Sequence, residues 1–316
     1  MKKLAENIKV LLWRLTKGNL IHIQYRKTAK ERERMHNILT SEETVQYIID
    51  HKCSVARFGD GEFQMIEHGM KGGNSDNFTV DSFQQYDDVL SKRLLEVLNS
   101  EGDNLLVCIP YSFKDSRTYK GYNRLFFERE WLGRSKWIAP IILRHKLLGD
   151  STFSRFYLNR IDINDYPGYI NLLKGIWDKE DVIIIEGSLS RLGIGNDLFS
   201  NAKSIRRIIC PPKNAFAAYD KILSAAIKQS PNALFLLALG HTATVLAYDL
   251  AIAGRRAIDL GHIDIEYEWF RMQAKKKVPV QGKYVNESKE GRITCDTSFD
   301  EDYTSQIITN LSDNVH

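Results

Sequence analysis

Six short runs, at residues 53–58, 105–109, 181–186, 205–210, 234–239 and 256–260, constrain the fold of this chain more than any other feature. Val182-Ile183-Ile184-Ile185 and Leu234-Phe235-Leu236-Leu237 are the plainest of them. A strand with one wet face alternates apolar and polar residues, whereas a strand covered on both faces is apolar throughout. Helical signals fill the intervals. Thr40-Ser41-Glu42-Glu43 is a capping-box pattern with Val45, Ile48 and Ile49 behind it. Asp81 is expected to cap a helix carrying Val89, Leu90, Leu94, Leu95 and Leu98. Residues 60–70, 120–148, 215–228 and 242–253 also read as helical. Strands alternating with helices predict an α/β, Rossmann-like domain, a mostly parallel sheet with helices on both faces.

The domain is expected to occupy residues 38–274. Residues 1–37 read as a basic N-terminal extension, with a charged linker over 26–36. In it, Leu4, Ile8, Leu11, Leu12 and Leu15 fall at helical spacing, which suits a peripheral membrane contact, a partner protein, or ordinary docking on the domain. Residues 275–316 are polar and are expected to be loosely packed.

Net charge is +4 over 316 residues, too weak to argue for nucleic acid and compatible with a small anionic substrate. Cys53, Cys108, Cys210 and Cys295 form no CxxC pair, which speaks against zinc and against a disulfide framework. No apolar run reaches membrane-span length, and the start lacks a signal-peptide core. A cytoplasmic location, extending to the inner membrane face, is the expectation.

In such a sheet, ligands bind beyond the carboxyl ends of the strands. Four strand ends carry glycine with polar or ionisable groups. The first is Arg57-Phe58-Gly59-Asp60-Gly61-Glu62. Hard divalent cations take one or two carboxylates together with substrate phosphates, so Asp60 and Glu62 suit a metal site. They equally suit a capped turn. The second is the loop after Glu186, containing Gly187, Ser190, Arg191, Gly193, Gly195, Asn196 and Asp197. Its glycines let amides approach a diphosphate, and Arg191 adds a cation. It matches neither the P-loop nor the dinucleotide fingerprint. The third is Gly240-His241-Thr242, where imidazole and hydroxyl suit phosphate or merely start a helix. The fourth is Gly261-His262-Ile263-Asp264-Ile265-Glu266. A histidine beside carboxylates suits Mn²⁺ better than Mg²⁺.

These motifs resemble those of the GT-D-fold glycosyltransferases, a bacterial family. The resemblance covers roughly residues 40–272, through 57–62, Glu186-Gly187, 190–198, Leu239-Gly240 with Thr242-Ala243, and 261–269. It implies a divalent metal, an Asp-x-Glu motif, and a nucleotide-sugar donor, UDP-glucose in this family. It also implies acceptors among surface adhesins or polysaccharides. Carried over, Asp60 and Glu62 match the Asp-x-Glu motif, and His262 is a third metal contact. His241 departs from the smaller or cyclic residue expected there.

The mechanism so implied is metal-dependent sugar transfer to a glycan or glycoprotein. Arg57 and Arg191 assist as cations, and the 190–197 loop with Thr242 holds the nucleotide. Asp264, Glu266 and Glu186, in that order, are candidates for a general base. A metal-dependent nucleotidyltransferase or phosphohydrolase would use the same groups, and a non-catalytic nucleotide-binding module is the third reading.

Overall fold

A computed structural model describes residues 18–74, 84–285, 288 and 301–312. Its centre is one eight-stranded sheet in the order β3-β2-β1-β7-β6-β4-β5-β8, and every pairing is parallel. The strands are β1 (Ser54–Arg57), β2 (Leu105–Ile109), β3 (Gly149–Asp150), β4 (Asp181–Gly187), β5 (Ser204–Cys210), β6 (Leu234–Ala238), β7 (Arg256–Asp259) and β8 (Ile307–Asn310). The main helices are α1 (Asn19–Lys27), α2 (Ala29–Glu33), α3 (Ser41–His51), α4 (Asp60–Met70), α5 (Asp88–Leu98), α6 (Gly121–Ile142), α7 (Tyr166–Lys174), α8 (Tyr219–Ile227), α9 (His241–Ile252), α10 (Ile263–Arg271) and α11 (Glu301–Gln306).

The apolar runs form strands because both of their faces are buried. Ile183, Ile185, Phe235 and Leu237 pack into one core, and Val182, Ile184, Leu234 and Leu236 pack into the other. Successive residues on a strand point to opposite faces, so each run feeds two cores. The three described cysteines are buried and free, as small hydrophobes would be.

Helix starts follow local chemistry. Thr40 Oγ1 accepts the Glu43 N–H and Glu43 accepts the Thr40 N–H, so the capping box at α3 is present as expected. At α5 the cap is Asp87, whose carboxylate accepts the Leu90 N–H at 2.9 Å. Asp81, expected in that role, lies outside the described residues.

Described residues on both sides of 38–274 pack against the domain. From the extension, Tyr25 and Met35 are buried in the core, and the Tyr25 hydroxyl donates to the Phe113 carbonyl at 3.1 Å. The leucine-rich stretch before Gly18 lies outside the described residues. Past residue 274, β8 adds a parallel strand beside β5, and the buried Lys283 reaches Asp264. A polar segment can supply such an edge strand because the ladder is made by backbone N–H and C=O groups. No described helix is long and apolar enough to cross a membrane.

Candidate functional site

The sheet order reverses at β1 and β7. β1 leads on to β2 on one side, while β7 receives the chain from β6 on the other. The crevice beyond such a junction is where open α/β sheets bind ligands. A cavity of about 610 Å³ opens there, within the size range of small-molecule sites.

Gly59 links β1 to α4, and Glu62 in the first turn accepts the Gly59 N–H at 2.8 Å. Glu62 therefore caps the helix, while Asp60 is its exposed first residue and not its cap. Both carboxylates border the cavity. Arg57 borders it too, with its guanidinium held by the Ser151 carbonyl and Ser154 Oγ at 2.9 Å each, and by Asp259 at 3.1 Å. Burial pushes the Asp259 carboxyl above its usual range, Arg57 pulls it down, and Glu62 pushes it up.

His262 borders the cavity, and its Nδ1 lies 3.0 Å from Arg155 Nη2. A guanidinium only donates, so Nδ1 accepts and a neutral ring carries its proton on Nε2. That tautomer donates, as suits an oxyanion or hydroxyl, whereas a metal needs a lone pair. Among the described residues, no three His, Cys, Asp or Glu side chains gather in metal-binding geometry. His262 is thus not assembled with Asp60 and Glu62. Two cavity-facing carboxylates still fit a hard cation whose remaining ligands are substrate phosphates. The argument for Mn²⁺ over Mg²⁺ needs an imidazole in the set, and an oxygen pair suits either ion.

The glycine-rich loop divides. Gly187 and Ser190 border the cavity, but Arg191, Gly193, Gly195, Asn196, Asp197 and Thr242 do not. Arg191 instead sits 5.2 Å from the ring centre of Tyr303, on α11. Asn196 donates to Asp264 at 2.7 Å and to Glu268 at 2.6 Å. Asp197 accepts from Tyr267 and Lys174, which hold its carboxyl down to about 2. These side chains brace the loop against α10 and its neighbours, a contact that the spacing of the loop residues does not encode.

The three carboxylates considered as bases also separate. Asp264 and Glu266 border the cavity. Asp264 is held by Lys283 at 2.5 Å, and Glu266 accepts the Tyr157 and Leu158 N–H groups at 3.0 and 3.1 Å. Glu186 does not border the cavity. It is fully buried, paired with Arg207 at 2.6 Å and with the Leu192 N–H, and burial raises its carboxyl above the usual range. Its carboxylate is thus engaged in a buried ion pair, away from the cavity that Asp264 and Glu266 border.

Other cavity residues escaped the sequence reading. Asp259 is a lone carboxylate near the end of the apolar 256–260 run, and that position was the available signal. Lys277 and Tyr284 come from the presumed tail. Tyr119, Tyr122, Asn123, Phe126 and Phe127 form a wall contributed by α6 and the segment before it. This last group was not wholly missed, since the aromatic and arginine residues between Tyr111 and Arg134 suit either an acceptor groove or a packed helical face, and the packing puts these five on the cavity.

Fold and cavity together define an α/β domain with a polar-lined cavity at the switch point of a parallel sheet. The model of the glycosyltransferase GT-D fold matches residues 55–288, and the chain belongs to that family. It is 35% identical over 297 residues to a probable glycosyl transferase, Gly, of Streptococcus gordonii, covering 90% of this chain and 40% of that protein. Glycosyltransferase GlyD of Streptococcus pneumoniae serotype 4 is 35% identical over 85% of this chain and 32% of its own length. The chain thus spans well under half of these relatives. Among solved structures, the domain of unknown function 1792 described as having a distinct glycosyltransferase fold superposes with a TM-score of 0.80 at 37% identity, covering 90% of this chain and 99% of that one. A new glycosyltransferase from Streptococcus sanguinis gives 0.77 at 36% identity, covering 87% and 99%.

Proposed function

We propose that this chain transfers a hexose, glucose first among candidates, from a uridine-diphosphate donor to a hydroxyl of a glycan or glycoprotein. The observation that carries the reading is the pair Asp60 and Glu62, facing the cavity at the β1–β7 junction beside Arg57. Asp60 and Glu62 would hold a divalent metal, which would supply positive charge against the diphosphate leaving group. Arg57, fixed by Asp259, Ser151 and Ser154, adds a preset cation at low reorganisation cost. Gly187 and Ser190 also border the cavity, and the Ser190 hydroxyl can donate to the donor's phosphates. The Tyr122–Phe127 face is suited to the apolar side of an acceptor sugar.

An inverting transfer needs a base at the acceptor hydroxyl. Asp264 and Glu266 are the α10 carboxylates that border the cavity, and Asp264→Asn and Glu266→Gln separate their roles.

The test is a screen of nucleotide sugars with Mn²⁺ and with Mg²⁺, followed by transfer to oligosaccharide acceptors. Expected are metal-dependent thermal stabilisation by UDP-sugars and release of UDP only in step with glycosylated product. Phosphate or pyrophosphate released from donor alone would instead support a phosphohydrolase or nucleotidyltransferase. Full transfer by the Asp60→Ala, Glu62→Ala double variant would sink the proposal.

A further inference from the structure

His241, at the first position of α9, is 3% exposed and borders the cavity, yet neither ring nitrogen has a hydrogen-bond partner among the described residues. A buried polar group without a partner costs about 1–3 kcal/mol, so natural sites keep one where a ligand supplies the bond. The neighbouring Thr242 hydroxyl is also buried and without a partner among the described residues. Both belong to the first turn of a twelve-residue helix. The Ala243 N–H donates to the Gly240 carbonyl at 2.9 Å, the His241 and Thr242 N–H groups have no intrahelical acceptor, and the helix dipole favours an anion.

The position of the ring relates this helix end to the acidic pair. A Cβ placed on Gly61 would lie 2.7 Å from His241 Nε2, so the imidazole edge packs on the backbone between Asp60 and Glu62. Thr244, one turn further into α9, donates to the Arg57 carbonyl at 2.9 Å and fixes the helix end against β1. An oxyanion on His241 therefore lies next to the acidic pair.

We propose that His241 and the first turn of α9 form an oxyanion subsite for the donor diphosphate. The proposal rests on the reading of the cavity as a nucleotide-sugar site and adds a residue that the family resemblance does not supply. At least one imidazole nitrogen carries a proton in every charge state, so His241 can always donate to a phosphate oxygen. Gly61 is required for the fit, because any side chain there would displace the ring.

The decisive variant is His241→Phe in the full chain, which keeps an aromatic ring against Gly61 and removes both nitrogens. Binding of UDP and of inorganic pyrophosphate is measured by calorimetry with Mn²⁺ present, alongside Tm and steady-state transfer. Expected are an unchanged or raised Tm, a tenfold or greater loss of UDP and pyrophosphate affinity, and a donor KM that rises more than kcat falls. Unchanged diphosphate affinity overturns the proposal, whether or not Tm falls. Loss of Mn²⁺ affinity without nucleotide also overturns it, since His241 would then be a metal ligand. The two readings fail separately. UDP binding that depends on His241 in a protein without transfer activity leaves the subsite standing and removes the transferase. Transfer that depends on Asp60 but not on His241 does the reverse.

Discussion

Arg57 on β1 and Asp259 on β7 meet at 3.1 Å across the junction where the sheet order reverses. Gly261 lies two residues further on, with a left-handed φ of 50°, and a Cβ on it would lie 1.8 Å from Arg57 Nη2. One glycine therefore lets the cation pass close to the chain. Asp259→Ala leaves that cation without its buried carboxylate and should cost about 3 kcal/mol in urea unfolding. Gly261→Ala should weaken UDP binding by displacing Arg57, and calorimetry on the same preparations checks it.

Glu62 has two duties that substitution can separate. Its carboxylate accepts the Gly59 N–H, a role an amide oxygen also performs. Glu62→Gln should keep stability within about 0.5 kcal/mol of the parent, whereas Glu62→Ala loses about 1 kcal/mol with the cap. Both should lose metal-dependent transfer. An active, fully stable Glu62→Gln would show that the charge is not used.

Glu186 and Arg207 form a pair with both side chains essentially unexposed. Removing one partner of such a pair strands the other charge, at roughly 3–5 kcal/mol. Glu186→Ala should fall by that amount in chemical denaturation. If it folds, its donor KM should stay within a factor of two of the parent, since Glu186 does not border the cavity.

Asp197 carries the clearest pH signature. Its carboxyl is held down to about 2, first by the Tyr267 hydroxyl and then by Lys174. A depressed carboxylate contributes stability above its unfolded pKa, near 3.8, and loses it as pH falls towards 2. The group is largely exposed, so solvent limits the gain to under about 1 kcal/mol. Asp197→Asn should be slightly less stable than the parent at neutral pH, and the gap should close below about pH 3. UDP affinity should not change.

The C-terminal segment tests how far the domain extends. Lys283 is buried against Asp264 at 2.5 Å and Glu268 at 3.5 Å. Lys283→Ala leaves the buried Asp264 without its cation, while Glu268 keeps Arg271 at 3.3 Å, and should lower stability by about 3 kcal/mol. Ending the chain at residue 300 removes β8 and the Tyr303 ring beside Arg191 and Arg207. That truncation should lower Tm, as read by calorimetry.

Much of this architecture is written locally. Apolar runs such as Ile183-Ile184-Ile185, rich in β-branched residues, read as strands covered on both faces, and the Thr40–Glu43 box starts its helix from its own atoms. The four glycine-bearing strand ends, and with them Asp60, Glu62, Asp264 and Glu266, follow from that pattern because parallel strands all end on one rim. Tertiary structure decided which of those groups look inward. Arg191, Asn196 and Asp197 sit on the same loop as Gly187 and Ser190, yet packing against Tyr303, Asp264 and Tyr267 turns them away from the cavity. Asp259 and His241 gain their positions beside Arg57 and Gly61, well over a hundred residues earlier in the chain. The sequence determined the fold class and the rim because periodicity and glycine act over a few residues. Charge pairing, burial and the direction of a side chain depend on what else arrives in the same space, and only the folded molecule settles that.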